Sequence, residues 1–148
     1  MATHGTPLDI EGPFGTFTLP PLGHGTRILL IGGGTGIAPL RSMLVQALDT
    51  GLAPIADVIY SARTVDELAY RDEIAAIPAE ASLAAAPEQL RYVPVVTREA
   101  HPTALSARVP QLIDDGRLEA AAGVTLDPAR SRVMVCGNPG LGRALRPQ

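Results

Sequence analysis

The sequence predicts an α/β protein, a doubly wound parallel sheet with helices on both faces. Three observations carry that expectation. Four short apolar runs have strand length: Ile28–Ile31, Ile55–Ser61, Leu90–Thr97 and Arg132–Cys136. Helix-start signals and amphipathic patterns fall between them. A glycine-rich turn, Gly32–Gly36, joins the first run directly to a helix. Strands that alternate with helices form parallel sheets through right-handed crossovers.

Residues 1–25 are rich in Gly, Pro and Thr, and Gly12–Leu19 within them fits either one short strand or a loose arm. Ile28–Ile31 suits a strand buried on both faces. Gly32, Gly33, Gly34 and Gly36 then let the chain turn tightly or approach a ligand closely. Pro39 suits the first turn of a helix, where its missing N–H costs nothing. Leu40, Met43, Leu44, Ala47 and Leu48 form one face of that helix, which stops near Thr50-Gly51.

Ile55–Ser61 is the second strand. Thr64 and Glu67 have the spacing of a capping box, opening a helix to about Ile77. An alanine-rich connection, 78–87, leads to the third strand, Leu90–Thr97. Pro94 cannot donate to a ladder, which places this strand at a sheet edge. A loop at Glu99–Thr103, a short helix from Arg108 to Ile113 and a helical turn at Leu118–Ala122 follow. Arg132–Cys136 is the fourth strand, and Asn138 and Pro139 cap and open a last helix.

Composition narrows the function. At 148 residues the chain is one domain with room for a core; 46% of residues are hydrophobic and 18% charged. The net charge is -3 and no basic block occurs, which argues against nucleic acid or an anionic membrane as partner. No apolar run approaches the roughly 20 residues of a membrane span. The first residues lack the charge and apolar core of a signal peptide. One cysteine excludes an internal disulfide and fits the cytoplasm. No cluster of residues suits a metal.

In such sheets ligands sit beyond the carboxyl ends of the strands. Here those ends are Gly32–Gly36, Ser61–Thr64, Thr97–Glu99 and Cys136–Asn138. Gly34, Thr35 and Gly36, at a helix start, suit a pyrophosphate through backbone N–H groups and one hydroxyl. The turn departs from G-x-G-x-x-G because Ile37 stands at the third glycine position, and the second strand ends in Ser61-Ala62-Arg63 without an acid. Both points argue against an ordinary NAD dehydrogenase. Arg63 suits the pyrophosphate, or else solvent. Arg98 and Arg108 suit a phosphate dianion by paired donors, and Arg98 equally suits a surface ion pair with Glu99. Cys136, read alone, fits a packed core position.

GGGTGIAP at Gly32–Pro39, SARTVDELAYRDEI, YVPVVTRE and VMVCGNP occur in the order of the nucleotide-binding domain of the ferredoxin–NADP reductase family, and the bacterial ferredoxin/flavodoxin branch is the most similar. The chain resembles that family from about Gly12 to about Arg143. The resemblance implies a three-layer Rossmann-like fold over residues 26–148, with 1–25 as the end of a flavin barrel or a linker. It implies that Thr97, Arg98 and Arg108 hold the 2′-phosphate of NADP(H), and that Gly34, Thr35, Gly36, Pro39, Arg63, Gly137, Asn138 and Pro139 complete the cofactor site. It places Cys136 beside the nicotinamide as the residue nearest the chemistry.

Two departures shape the functional expectation. The family's flavin barrel has roughly 100 residues, whereas about 25 precede the first strand here, and the Arg-x-Tyr/Phe-Ser flavin signature is missing. The expected function is the NADP(H)-binding portion of a ferredoxin/flavodoxin–NADP oxidoreductase, with FAD held only in the complete enzyme. Past Pro139 a glycine pair, Gly140 and Gly142, weakens the last helix, and the chain ends before a fifth strand, as in a truncated product. Ferredoxin or flavodoxin, and possibly a separately encoded flavin domain, are the expected partners. The alternatives are an NADH-using reductase of an oxygenase system, a non-catalytic nucleotide-binding module, and an unstable remnant.

Overall fold

A computed structural model describes residues 3–7, 9–12, 14–23, 26–49, 55–77, 89–123, 127 and 129–145. β1 (Arg27–Gly33) runs through a single 3-10 turn (Gly34–Gly36) into α1 (Ile37–Asp49). β2 (Ile55–Ala62) is followed by a second 3-10 turn (Val65–Glu67) and α2 (Arg71–Ala76). Then come β3 (Gln89–Val96), β4 (Leu105–Ser106), α3 (Val109–Asp114), α4 (Arg117–Ala122), β5 (Ser131–Cys136) and α5 (Pro139–Ala144).

The five strands are parallel, in the order β4-β3-β2-β1-β5. The chain grows outward from β1 to β4 and then returns to the far side of β1. That reversal lies between β1 and β5, where a doubly wound sheet opens its ligand crevice. Leu30 stands between Val58 and Met134, so the register brings Gly33, Ser61 and Cys136 to one rim.

Alternation along the strands sorts the core into two layers. Ile28, Leu30, Val58 and Tyr60 pack with Leu40 and Leu44 of α1 on one face. Leu29, Ile31, Ile59 and Val95 pack with Leu112 of α3 and Leu118 of α4 on the other. The predicted three-layer α/β architecture is therefore what the chain adopts, with β1 buried on both faces as its unbroken apolar run requires.

Asp57 is the one charged side chain in this core, 0% exposed among the described residues. Arg27 Nε lies 2.8 Å from its Oδ2. Burial pushes the carboxyl up from its ordinary value, and the charges of Arg27 and Arg91 oppose that rise. Asp57 sits four residues before Ser61 along β2, so this ion pair is about 13 Å from the rim that carries the site.

Gly12–Leu19, left open between a short strand and an arm, forms no strand among its described residues, and Leu19 leans on the α1 side of the core. Three local expectations are corrected. β3 is not a simple edge: β4, too short to show a sequence pattern, covers Val95 and Val96, just past Pro94. Thr64 makes no side-chain cap; the first N–H of the turn, Val65 N, is taken by Glu99 at 2.6 Å, and Glu67 turns to Arg63. The expected helix to Ile77 is broken at Leu68–Tyr70, where Tyr70 adopts φ 58° and its ring lies 5.2 Å from the Arg41 guanidinium. The helix stop at Thr50-Gly51 and the connection 78–87 lie outside the described residues.

β5 is the outer strand on the β1 side, and Val133 on it is 48% exposed. No helix among the described residues is long and apolar enough to cross a membrane.

Candidate functional site

A cleft of about 880 Å³ opens over the carboxyl ends of β1, β2, β3 and β5. Its floor is made of glycine. A Cβ on Gly36 would overlap the Cys136 carbonyl oxygen and come within 2.8 Å of Gly137 N. A Cβ on Gly137 would meet Leu141 Cδ2 at 2.9 Å and the Gly33 backbone at 3.3 Å. The turn after β1 and the turn after β5 thus touch backbone to backbone, and only glycine allows it. Gly34 differs: it has φ +56°, which favours glycine, and nothing lies within 4 Å of its Cβ position. Space there is open toward the cleft.

α1 starts at this floor with no acidic residue in its first turn. The positive end of its dipole therefore meets the cleft without a local carboxylate to neutralise it. Thr35 is exposed and lines the cleft.

The β2 side supplies Ser61, Ala62 and Arg63. The Arg63 guanidinium grips Glu67 with two donors, Nε to Oε2 at 3.0 Å and Nη2 to Oε1 at 2.5 Å, and Arg63 N adds a third at 3.2 Å. These hydrogen bonds hold the Glu67 carboxyl below its ordinary value. The β3 side is stitched to β2: Thr97 N donates to Ala62 O at 3.1 Å and Arg98 N to Arg63 O at 2.9 Å. The Thr97 hydroxyl also points to Ala62 O, at 3.3 Å. Arg108, before α3, lines the cleft with Val109 and Pro110. Neither Arg98 nor Arg108 has a carboxylate partner among the described residues.

On the β5 side, Asn138 caps α5, its Oδ1 accepting from Leu141 N at 3.0 Å. Gly140, Leu141 and Ala144 continue that wall.

Of the residues singled out in the sequence, the cleft gathers Gly34, Thr35, Arg63, Thr97, Arg108, Gly137 and Asn138. Gly36 and Pro39 lie behind the floor, the first as the backbone contact and the second in the first turn of α1. Pro139 opens α5 outside the lining. Arg98 is exposed at the margin, near enough for its charge to act on Glu67. Cys136 is half-buried, packs on the α1 side of the core and does not line the cleft.

Sequence reasoning missed Glu67, Val109, Pro110, Gly140, Leu141 and Ala144 as lining residues. Only the last two left a signal, an i,i+3 pair on the helix after Pro139. Among the lining residues there is no histidine and no cysteine. Two guanidinium groups, one carboxylate and a glycine turn at a helix start give the cleft the groups that suit an anionic ligand.

Residues 30–146 match the model of the oxidoreductase NAD-binding domain. The chain is 32% identical over 130 residues to the flavodoxin/ferredoxin–NADP reductase of Escherichia coli K12, an alignment covering 87% of this chain and 50% of that protein. It is 31% identical over 136 residues to the reductase component of propane 2-monooxygenase from Rhodococcus jostii, covering 91% of this chain and 34% of that protein. The crystal structure of a ferredoxin NADP+ reductase from Neisseria gonorrhoeae with bound FAD and NADP superposes with a TM-score of 0.70 at 32% identity, over 82% of this chain and 46% of that one. The chain spans about half the length of the ferredoxin–NADP reductase relatives it matches and about a third of the propane 2-monooxygenase reductase component.

Proposed function

This chain belongs to the oxidoreductase NAD-binding domain family, and from that premise we propose that it is the NADP(H)-binding portion of a flavin-dependent ferredoxin or flavodoxin–NADP oxidoreductase. The observation that carries the proposal is the cleft itself. It has a glycine floor with open space over Gly34, a helix start, and guanidinium groups on two walls. These groups fit the cofactor: backbone N–H groups near Gly34 and Thr35 suit the pyrophosphate, and Arg108 with Arg98 suits the 2′-phosphate. Gly137 and Asn138 form the wall along which the nicotinamide would lie.

NADP(H) supplies or accepts a hydride when bound; FAD, in the complete enzyme, is its redox partner. The contribution of this chain is to bind and orient the dinucleotide. Residues 1–25 serve as the end of a flavin barrel or a linker to it, and the electron partner is ferredoxin or flavodoxin. A cytoplasmic setting fits a chain whose single cysteine cannot close an internal disulfide. Thermal unfolding with 2′,5′-ADP tests the proposal, because a ligand of the folded state raises the midpoint. A rise with 2′,5′-ADP larger than with 5′-AMP is expected; no rise with either defeats the reading.

A second reading is an NADH-using reductase component of an oxygenase system, favoured by the similarity to the propane 2-monooxygenase reductase component. Equal affinity for 2′,5′-ADP and 5′-AMP would select it.

A further inference from the structure

Arg63 is the guanidinium of the cleft that already has a carboxylate. Glu67 presents both oxygens to its Nε and Nη2, the two-pronged contact that a guanidinium also makes with phosphate. The carboxylate is held in that place by its own turn. Tyr60 Oη donates to the Glu67 carbonyl at 3.3 Å, and Glu99 closes the start of the turn at Val65 N. Yet the pair is open to solvent, with Arg63 60% and Glu67 39% exposed. Water, salt and an entering anion therefore reach both groups of the pair, whose exposure screens the attraction between them. By contrast, Arg98 and Arg108 have no carboxylate partner among the described residues.

We propose that Glu67 is an internal counter-ion that occupies Arg63 in the ligand-free cleft, is displaced by the phosphate groups of the dinucleotide, and thereby limits how tightly this protein holds its cofactor. The inference rests on the nucleotide-binding reading above and gives a role to a residue that reading does not use. A dianion entering beside Glu67 meets repulsion from one carboxylate and must take over one guanidinium. Removing the charge relieves both.

The test is calorimetric titration of 2′,5′-ADP into the wild-type chain, Glu67→Gln, Arg63→Ala and the double variant. At low salt, E67Q is expected to bind about tenfold more tightly than wild type, with the gain shrinking as salt is added. In the R63A background the same change is expected to gain less than about threefold. Glu67→Asp, which keeps the charge but shortens the reach, is expected to gain less than E67Q and covers the case of a poorly folded glutamine variant. Equal or weaker binding by E67Q, or a full gain without Arg63, overturns the inference and leaves the cofactor reading intact. No binding by any variant overturns the cofactor reading, and this inference with it.

Discussion

Gly36 and Cys136 touch through their backbones: a single methyl on Gly36 would overlap the Cys136 carbonyl oxygen. Gly36→Ala must therefore push the turn after β1 away from β5. Overpacking of this kind costs about 1–3 kcal/mol, and the midpoint of thermal unfolding should fall accordingly. Gly34→Ala has free space and meets only the strain of its φ of +56°, about 1–2 kcal/mol. Chemical denaturation of both variants measures the contrast: the Gly36 variant should also lose contact between β1 and β5, seen as faster amide exchange in β5.

Arg108 lines the cleft and Arg98 stands at its margin. Arg108→Ala should weaken 2′,5′-ADP by about 10- to 100-fold, the range of a lost charge-assisted hydrogen bond, while 5′-AMP changes less. Arg98→Ala should show the same preference with a smaller loss. Titration of both ligands into both variants reads the difference, and an equal loss for the two ligands would remove the arginines from the 2′-phosphate.

Asp57 is buried with its carboxyl raised above the ordinary value by desolvation. A raised carboxyl binds its proton more tightly in the folded chain than in the unfolded one. Its contribution to stability is therefore largest below the ordinary carboxylate range and declines as pH rises through the folded value. Asp57→Asn removes that titration: relative to the variant, the wild-type chain should be most favoured at the acid end and lose ground as pH rises through the folded value, as urea titrations of both across the acid range would show.

Glu99 supplies the acceptor for Val65 N from a distant loop. Glu99→Ala should cost about 1 kcal/mol, as loss of a cap does, and should loosen the turn that carries Glu67. Denaturant midpoints measure the first effect and amide exchange at Val65 the second.

The strands and α1 were legible because their patterns are local and strong. Ile28–Ile31 is apolar on both faces, and Leu40, Leu44 and Leu48 repeat at helical spacing; each lies where its pattern predicts. That Gly34, Arg63, Thr97 and Gly137 would meet at one rim was legible for the same reason, since strand ends in a parallel sheet share one side. The misplaced details came from competition across the chain. Thr64 and Glu67 form a valid capping box on paper, but Glu99 reached the N–H first and Arg63 claimed the carboxylate. Leu105–Ser106 is two residues long and pairs only because Val95 and Val96 lie beside it. Neither event leaves a mark in a short window of sequence.

The floor of the cleft is built from main chain alone, whereas its walls carry arginines on long side chains. Main-chain contacts have no rotamers to change. The base of the recess therefore has no side chain to rearrange when a ligand enters, and telling related nucleotides apart would fall to the arginine-bearing walls above a shared seat.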